Sequence, residues 1–426
     1  MATAAARQTG GSLRVTLWIL LVVYIFNFID RQIVNILAEP IAKELLLSDT
    51  QIGLMTGLAF ALFYTVLGLP IARYADRPTT SRPRLIATAL AIWSAMTALC
   101  GLAQNFIQLL LARIGVGVGE AGCTPAAHSL ISDMVPKERR ASALGFYALG
   151  IPIGTVLGMI IGGQLVDILG WRHAFMIVGL PGVAMAVVVW LVLREPRHAA
   201  TIAQAGHAQP LPTFAAIRAI LSSRALVLLL VAASAAAFLS YGKVTWATIF
   251  FQRTHGLTPG QVGLWFGIVN GAGSILGTWM SGRIADRYGA VKRQHVLTAA
   301  ALGMLLVAPT AIWGYSTADW RVAMAILFLP AFFGSLYYGP TYSSVQGLVA
   351  PQARALASAV LLFFQNLIGL GLGPLLFGML SDGLKPSFGE DSVQYVLYCA
   401  SIMSLIPAFF FWRCSLRLDE ELDRKG

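Results

Sequence analysis

The chain has 426 residues, 57% of them hydrophobic and only 12% charged, and its mean hydropathy is +0.73. A soluble globular protein carries about 25% charged residues, so the composition excludes a soluble domain and indicates an all-α membrane protein with many crossings. The net charge of +11 would suit nucleic acid if it were clustered, but it is dispersed over loops and reads as an orientation signal.

Residues 1–12 are small and polar. The apolar run from Leu13 is too long for a signal-peptide core and has no small-residue cleavage site, so it is the first span. Apolar stretches of about 20 residues or more then recur, which is the length a membrane helix needs. Strands of a membrane barrel are about 10 residues long and alternate in polarity, a pattern this chain lacks. Twelve spans are expected, at roughly 14–38, 50–73, 84–104, 105–133, 138–168, 172–193, 224–252, 258–284, 293–315, 320–348, 353–381 and 392–413. Ser48-Asp-Thr-Gln51 reads as a capping box opening the second. Thr258-Pro259 opens the eighth, with proline at a tolerated first-turn position.

The stretch 194–223 interrupts the series with three prolines and several basic residues. It separates an N-terminal six-helix bundle (1–193) from a C-terminal one with a short tail (224–426), and 212–220 suits a short helix on the membrane surface. With the N-terminus inside, loops and tails on that side hold 22 of the 30 lysines and arginines, and the other side holds five. The positive-inside rule therefore predicts a multi-pass protein of the inner membrane with both termini cytoplasmic.

The halves repeat one another. Ala72-Arg-Tyr-Ala-Asp76-Arg77 follows span two, and Gly282-Arg-Ile-Ala-Asp286-Arg287-Tyr-Gly289 follows span eight, 210 residues later. Pro136-Lys-Glu-Arg139 answers Pro351-Gln-Ala-Arg354, and Gly154-x-x-x-Gly158 answers Gly369-x-x-x-Gly373, both at an offset of 215. Parallel repeats with a site at their interface are how many transporters are built. The Asp76-Arg77 and Asp286-Arg287 turns are candidate gating loops.

Charges inside spans are the candidate machinery, because each costs about 2.5–3.5 kcal/mol on insertion scales. Span four carries Arg113 and Glu120 two turns apart, with Gly115, Gly117 and Gly119 between them. Span one carries Asn27-Phe-Ile-Asp30-Arg31. At about 1.5 Å per residue, Asp30 and Arg113 lie at similar depth and are expected to pair. Glu120 lies about 10 Å nearer the cytoplasm, without a depth-matched partner. An unpaired buried carboxyl titrates near neutrality, which makes Glu120 the proton-coupling candidate beside Asp30, Arg113 and Arg31. Arg31 points about 100° away from Asp30 on the helix. A static salt-bridge cluster is the structural alternative.

In span seven, Lys243 stands 213 residues after Asp30, at the repeat-equivalent place with opposite sign. It suits a phosphate or a carboxylate, or else snorkels to the interface. Asn27, Arg113, Lys243, Trp246 and Tyr338 are the candidate substrate-binding residues. Cys100, Cys123, Cys399 and Cys414 have no pairing or metal spacing. The chain has no nucleotide loop and no His-Glu-x-x-His, so neither enzyme activity, a cofactor nor a metal is expected.

The Asp-Arg loops resemble the loop motif of the major facilitator superfamily, with Ala72 and Thr79 replacing its glycines in the N-terminal copy. The glycine ladder Gly145, Gly154, Gly158, Gly162, Gly163 resembles that superfamily's antiporter motif, with Met159 in place of proline. Within the superfamily the chain most resembles the Spinster lipid transporters, through Asn27-x-x-Asp30-Arg31, Gly-Val-Gly-Glu120-Ala and Leu130-Ile-Ser-Asp-Met-Val-Pro-Lys-Glu-Arg139-Arg140-Ala. The resemblance implies twelve transmembrane helices in two pseudo-symmetric halves and proton-linked alternating access. It also implies an amphipathic substrate such as a lysophospholipid or a sphingosine phosphate-like lipid. Organic-anion:cation symporters share the first- and fourth-helix patterns, so a small organic anion carried with a proton or cation is the alternative. Expected partners are the substrate, protons and membrane lipids, with no nucleic acid and a monomeric state.

Overall fold

The computed structural model describes residues 2–77, 79–136, 139–196, 223–289, 293–349 and 353–423. Most of the segment 194–223, including the expected surface helix at 212–220, lies outside the described residues. Every regular element among them is helical. Hydrocarbon offers no water to unpaired N–H and C=O groups, so a spanning chain satisfies them within its own helices.

Helix α1 (Ala2–Leu45) is broken off by Leu46, which takes a positive φ of 53°. The capping box then starts α2 (Asp49–Gly53): Ser48 Oγ accepts from Gln51 N at 3.2 Å, and Gln51 Oε1 accepts from Ser48 N at 2.9 Å. A π turn (Leu54–Leu58) carries it into α3 (Ala59–Ala75). Helix α4 (Arg82–Cys100) follows. The Asn105 side chain accepts from Gln108 N at 3.0 Å and so caps α5 (Phe106–Glu120). The fourth expected span is bent: α5 stops at Glu120, and α6 (Cys123–Met134) restarts after Gly122. Next come α7 (Arg140–Ala148) and α8 (Gly150–Val192). Within α8, Gly170 has φ 78° and ψ 165°, a conformation glycine reaches without a Cβ clash. The 43 residues are about 65 Å of helix, long enough for two crossings that meet at this glycine.

Beyond Ser223 run α9 (Arg224–Arg253), α10 (Pro259–Gly289), α11 (Arg293–Ser316), α12 (Trp320–Gly334) and α13 (Tyr338–Leu348). Then α14 (Arg354–Phe364) passes through a π turn (Gln365–Leu372) into α15 (Gly373–Phe388), followed by α16 (Ser392–Ile402) and α17 (Leu405–Asp423). Among the described residues, nine helical stretches are long and apolar enough to cross a membrane, and two of them, Ser142–Val192 and Leu356–Leu418, run to 51 and 63 residues.

The chain forms two compact units. The first comprises Met1–Leu47, Ala59–Gly206 and Thr258–Leu264, and the second Ser48–Leu58, His207–Leu257 and Trp265–Gly426. In the first, α1 packs on α8, and α4 packs on both α8 and α5. The glycine ladder makes the α1–α8 seam tight: a Cβ at Gly154 would lie 2.6 Å from Ile25 O, and one at Gly158 2.9 Å from Ile29 Cα. Small residues at this spacing are the usual means of close helix approach in a membrane. In the second unit α11 packs on α12 and α17, around a core that includes Leu229, Leu297, Met304, Leu361 and Phe411.

Candidate functional site

In the first unit, α1 and α5 bring Asn27, Asp30, Arg31, Arg113 and Glu120 together. Glu120 and Asn27 are 0% exposed, Arg113 1% and Asp30 3%. Arg113 Nη1 lies 3.8 Å from Asp30 Oδ1, and the Thr97 hydroxyl of α4 donates to Asp30 Oδ2. Arg31 Nε donates to Glu120 Oε2 at 2.7 Å. This corrects the expectation that Glu120 has no partner and that Arg31 turns away. A depth count along the backbone omits the reach of the guanidinium. It also omits the lean of helical side chains toward their own N-terminus, which carries Arg31 toward the level of Glu120.

Aromatic rings hold the two cations. The Arg31 guanidinium lies 4.4 Å from the Tyr64 ring centre, 5.0 Å from Phe60 and 5.2 Å from Phe28. Arg113 lies 5.5 Å from that same Phe60 ring. The glycines between Arg113 and Glu120 make this possible: a Cβ at Gly117 would lie 2.5 Å from Phe60 O, and one at Gly119 2.6 Å from Trp93 N. The ion pairs leave polar capacity over. Asp30 Oδ1, Glu120 Oε1, Arg113 Nε and Nη1, and both polar atoms of the Asn27 amide are buried without a hydrogen bond. Buried polar atoms are normally satisfied, and these lie together in one cluster.

In the second unit Lys243 lines a half-open cavity whose walls are mostly apolar, with Ser240, Asn270, Ser274 and Ser335 as its polar members. No ion pair reaches Lys243 among the described residues. Two other candidate substrate-binding residues do not line this cavity. Trp246 is fully buried and donates from Nε1 to Pro374 O at 3.0 Å. It sits about 60° round the helix from Lys243, which turns it out of the cavity and onto α15. Tyr338 stacks on Tyr337 at 4.4 Å against the apolar core.

The two Asp-Arg turns differ. Asp76 Oδ1 accepts from Ser129 Oγ at 3.1 Å. The centre of that network is Arg82, which is 0% exposed and went unmarked in the sequence. It donates to Asp133 Oδ2 at 2.6 Å and Ser129 Oγ at 3.1 Å, and grips the Glu195 carboxylate. The signal was present: Asp133 lies in the Ile131-Ser132-Asp133 run, and Glu195 follows the sixth span directly. Arg77 lies over the Tyr74 ring, and Asp286 and Arg287 are exposed. Among the described residues no group of three His, Cys, Asp or Glu side chains is placed to hold a metal, and the four cysteines are free thiols.

Residues 20–374 match the family described as the Major Facilitator Superfamily. An MFS-type efflux pump of Mycolicibacterium smegmatis is 34% identical over 95% of this chain and 93% of its own length. A probable L-galactonate transporter of Escherichia coli is 25% identical over 90% of this chain and 80% of its own. The crystal structure of a bacterial homolog of the human lysosomal transporter Spinster, inward-facing and unoccupied, superposes with a TM-score of 0.85 at 30% identity. It covers 96% of this chain and 98% of that one.

Proposed function

The chain belongs to the Major Facilitator Superfamily, a multi-pass transporter related to Spinster, and from that premise we propose proton-coupled transport of an amphipathic lipid by alternating access. Membership makes it a transporter and not an enzyme. The substrate is an anionic or zwitterionic lipid of the lysophospholipid or sphingosine phosphate class. The fold is read as twelve transmembrane helices in two six-helix halves, 1–193 and 224–426, joined by a cytoplasmic linker. The chain works as a monomer in the inner membrane with both termini in the cytoplasm.

The observation that carries the proposal is the buried cluster of two carboxylates and two guanidiniums in the first unit. As drawn, its charges balance. Protonating Glu120 leaves the Arg31 cation without its carboxylate inside an apolar bundle, and an uncompensated buried charge of this kind costs about 3–5 kcal/mol. An anionic headgroup restores the balance. Proton and headgroup therefore bind together, the headgroup taking the place of the Glu120 carboxylate at Arg31, and Arg113 with Asp30 forms a second, looser pair that senses the change. The unsatisfied Asn27, Asp30 and Arg113 atoms are what a headgroup would engage. Lys243 offers a further cation in its own cavity.

The test is uptake of a labelled lysophospholipid into proteoliposomes across an imposed pH gradient. Glu120→Gln is expected to abolish the dependence on the gradient, and full gradient-driven uptake by that variant sinks the proton role. The second reading, a small organic anion carried with a proton or cation, is favoured by the Lys243 amine and the few polar residues of its cavity and by the galactonate relative. Competition by hexonates, with none by lysolipids, would select it.

A further inference from the structure

Beyond Glu120 the first unit carries a line of polar side chains that the ion pairs do not use. Glu120, Thr124 and His128 are spaced by four residues, the interval that keeps side chains on one helix face. The chain bends between them, where α5 ends at Glu120 and α6 restarts at Cys123. At about 1.5 Å per residue, His128 lies about 12 Å along from Glu120. Glu120 is fully buried, whereas His128 is exposed.

Four side chains fill the distance. The Tyr147 ring of α7 stacks on Tyr24 of α1 with centres 4.2 Å apart and planes at 12°. It meets the His128 ring edge-on at 5.5 Å. The Thr124 hydroxyl faces both tyrosine hydroxyls. The Cys123 thiol borders Glu120 on one side and Tyr147 on the other.

The stack on Tyr24 needs only the ring of Tyr147. Its hydroxyl is nevertheless buried without a hydrogen bond, and so is Glu120 Oε1. Burying a polar group unsatisfied is unfavourable, so packing alone does not account for that hydroxyl. The other ionisable groups near the line are Asp30 and Arg31 of α1, Tyr64 of α3 and Arg113 of α5, all toward its Glu120 end. From α4, Arg82 faces the neighbouring side of α6, where it bonds Ser129 and Asp133. No carboxylate pairs with His128 among the described residues.

We propose that His128 is the group through which Glu120 exchanges its proton with water, and that Tyr147, Tyr24, Thr124 and Cys123 pass the proton between them. The imidazole takes up a proton and releases it into the line. Each hydroxyl accepts a proton from one neighbour as it gives its own to the next, a double role open to hydroxyls and thiols. The last proton goes to Glu120 Oε1. Imidazolium and carboxylate both end neutral, and every group between them ends as it began. The proposal rests on the proton-coupled reading of Glu120, but its readout needs no substrate.

The test is infrared difference spectroscopy of the full chain in lipid nanodiscs after a drop in pH. The carboxylic-acid band of Glu120 is the one that Glu120→Gln removes. In Tyr147→Phe, which keeps the stacked ring, and in His128→Ala, the band is expected to rise about a hundredfold more slowly, the usual worth of a positioned proton donor. Its final height should stay near that of the parent, because a relay alters the rate and not the equilibrium. Imidazole added to His128→Ala should restore the rate, which a structural role for the ring would not allow. Parent-like rates in both variants overturn the relay. A slow His128→Ala that imidazole does not restore overturns the donor role of His128. If His128→Ala does not fold, His128→Gln fills a similar space without titrating and takes its place. Fast protonation in the variants beside gradient-driven uptake in the parent would remove the relay and leave the transport reading. Relay-dependent protonation without gradient-driven uptake would do the reverse, and no Glu120 band at any pH would overturn both.

Discussion

The two units solve the problem of buried polarity in opposite ways. The first concentrates four ions on α1 and α5 and balances them pairwise, Arg31 with Glu120 and Arg113 with Asp30. The second pairs its buried Asp49 with Arg253 and Lys385 at the start of α2, leaves the Lys243 cation facing a mainly apolar cavity with a few serines and an asparagine, and packs tyrosines nearby. Tyr337 stacks on Tyr338, and Tyr342 donates to Gln365 Oε1 at 3.2 Å. A balanced cluster responds to the loss of any single charge. A lone amine beside a cavity changes nothing else when it is neutralised. The proposed coupling therefore sits with the first arrangement and the proposed selectivity with the second, although the two halves repeat one another.

The sharpest way to break this contrast is at Arg31. Arg31→Met leaves Glu120 buried without a cation and is expected to cost about 3–5 kcal/mol, read as a fall in the melting temperature in detergent. Glu120→Gln alone leaves the mirror-image defect. The pair Arg31→Met with Glu120→Gln removes both charges and should recover most of the loss, since neutral replacement of a buried pair is often tolerated. Single variants as stable as the parent would mean that the four ions are not a balanced set.

Arg82 comes next. It is as buried as the four-ion cluster of α1 and α5, but its partners Asp133 and Glu195 are 39% and 19% exposed, so water screens what it leaves behind. Arg82→Met is expected to cost about 2 kcal/mol, less than Arg31→Met, by thermal melting. An equal or larger loss would place the main electrostatic knot of the first unit at the Arg82 network instead.

The glycines separate the two kinds of residue inside one motif. Gly117→Ala drives a Cβ to 2.5 Å from the Phe60 carbonyl oxygen, which cannot move aside without moving α3. Overpacking of this kind costs about 1–3 kcal/mol, and here it also shifts the ring shared by both guanidiniums. Gly115→Ala meets only the flexible end of Met96, at 2.7 Å, and is expected to cost less. Melting of the two variants side by side checks the order. A reversed order would show that Phe60 does not fix the spacing of α3 and α5.

Much of this was legible in the chain. Hydrophobic length marks spans, and an ion inside a span marks a site whatever it contacts. The pairing was not legible, because depth counts follow the backbone while Arg31 acts through the far end of a long side chain. The direction of Trp246 was not legible for a related reason. Three residues from Lys243 places it on a neighbouring face, and only the position of Pro374 decides that it turns to α15. Arg82 was counted as an orientation charge, since nothing local distinguishes a loop arginine in water from one enclosed by Asp133 and Glu195.

The smallest expected effect tests the second unit. Lys243→Gln removes a cation that no carboxylate balances among the described residues, so folding loses no ion pair. Burying a lone ammonium is unfavourable, and its removal should leave the melting temperature unchanged or slightly raised. Gradient dependence should persist, because Arg31 and Glu120 are untouched. What should change is the concentration of anionic lipid needed for half-maximal uptake, with a smaller change for a zwitterionic lipid of the same chain length, since only the former gains Coulomb energy from the amine. Uptake assays with the two lipids in parallel make that comparison. If Lys243→Gln instead removed the gradient dependence as fully as Glu120→Gln, the division of labour between the units would be wrong and Lys243 would belong to the coupling machinery.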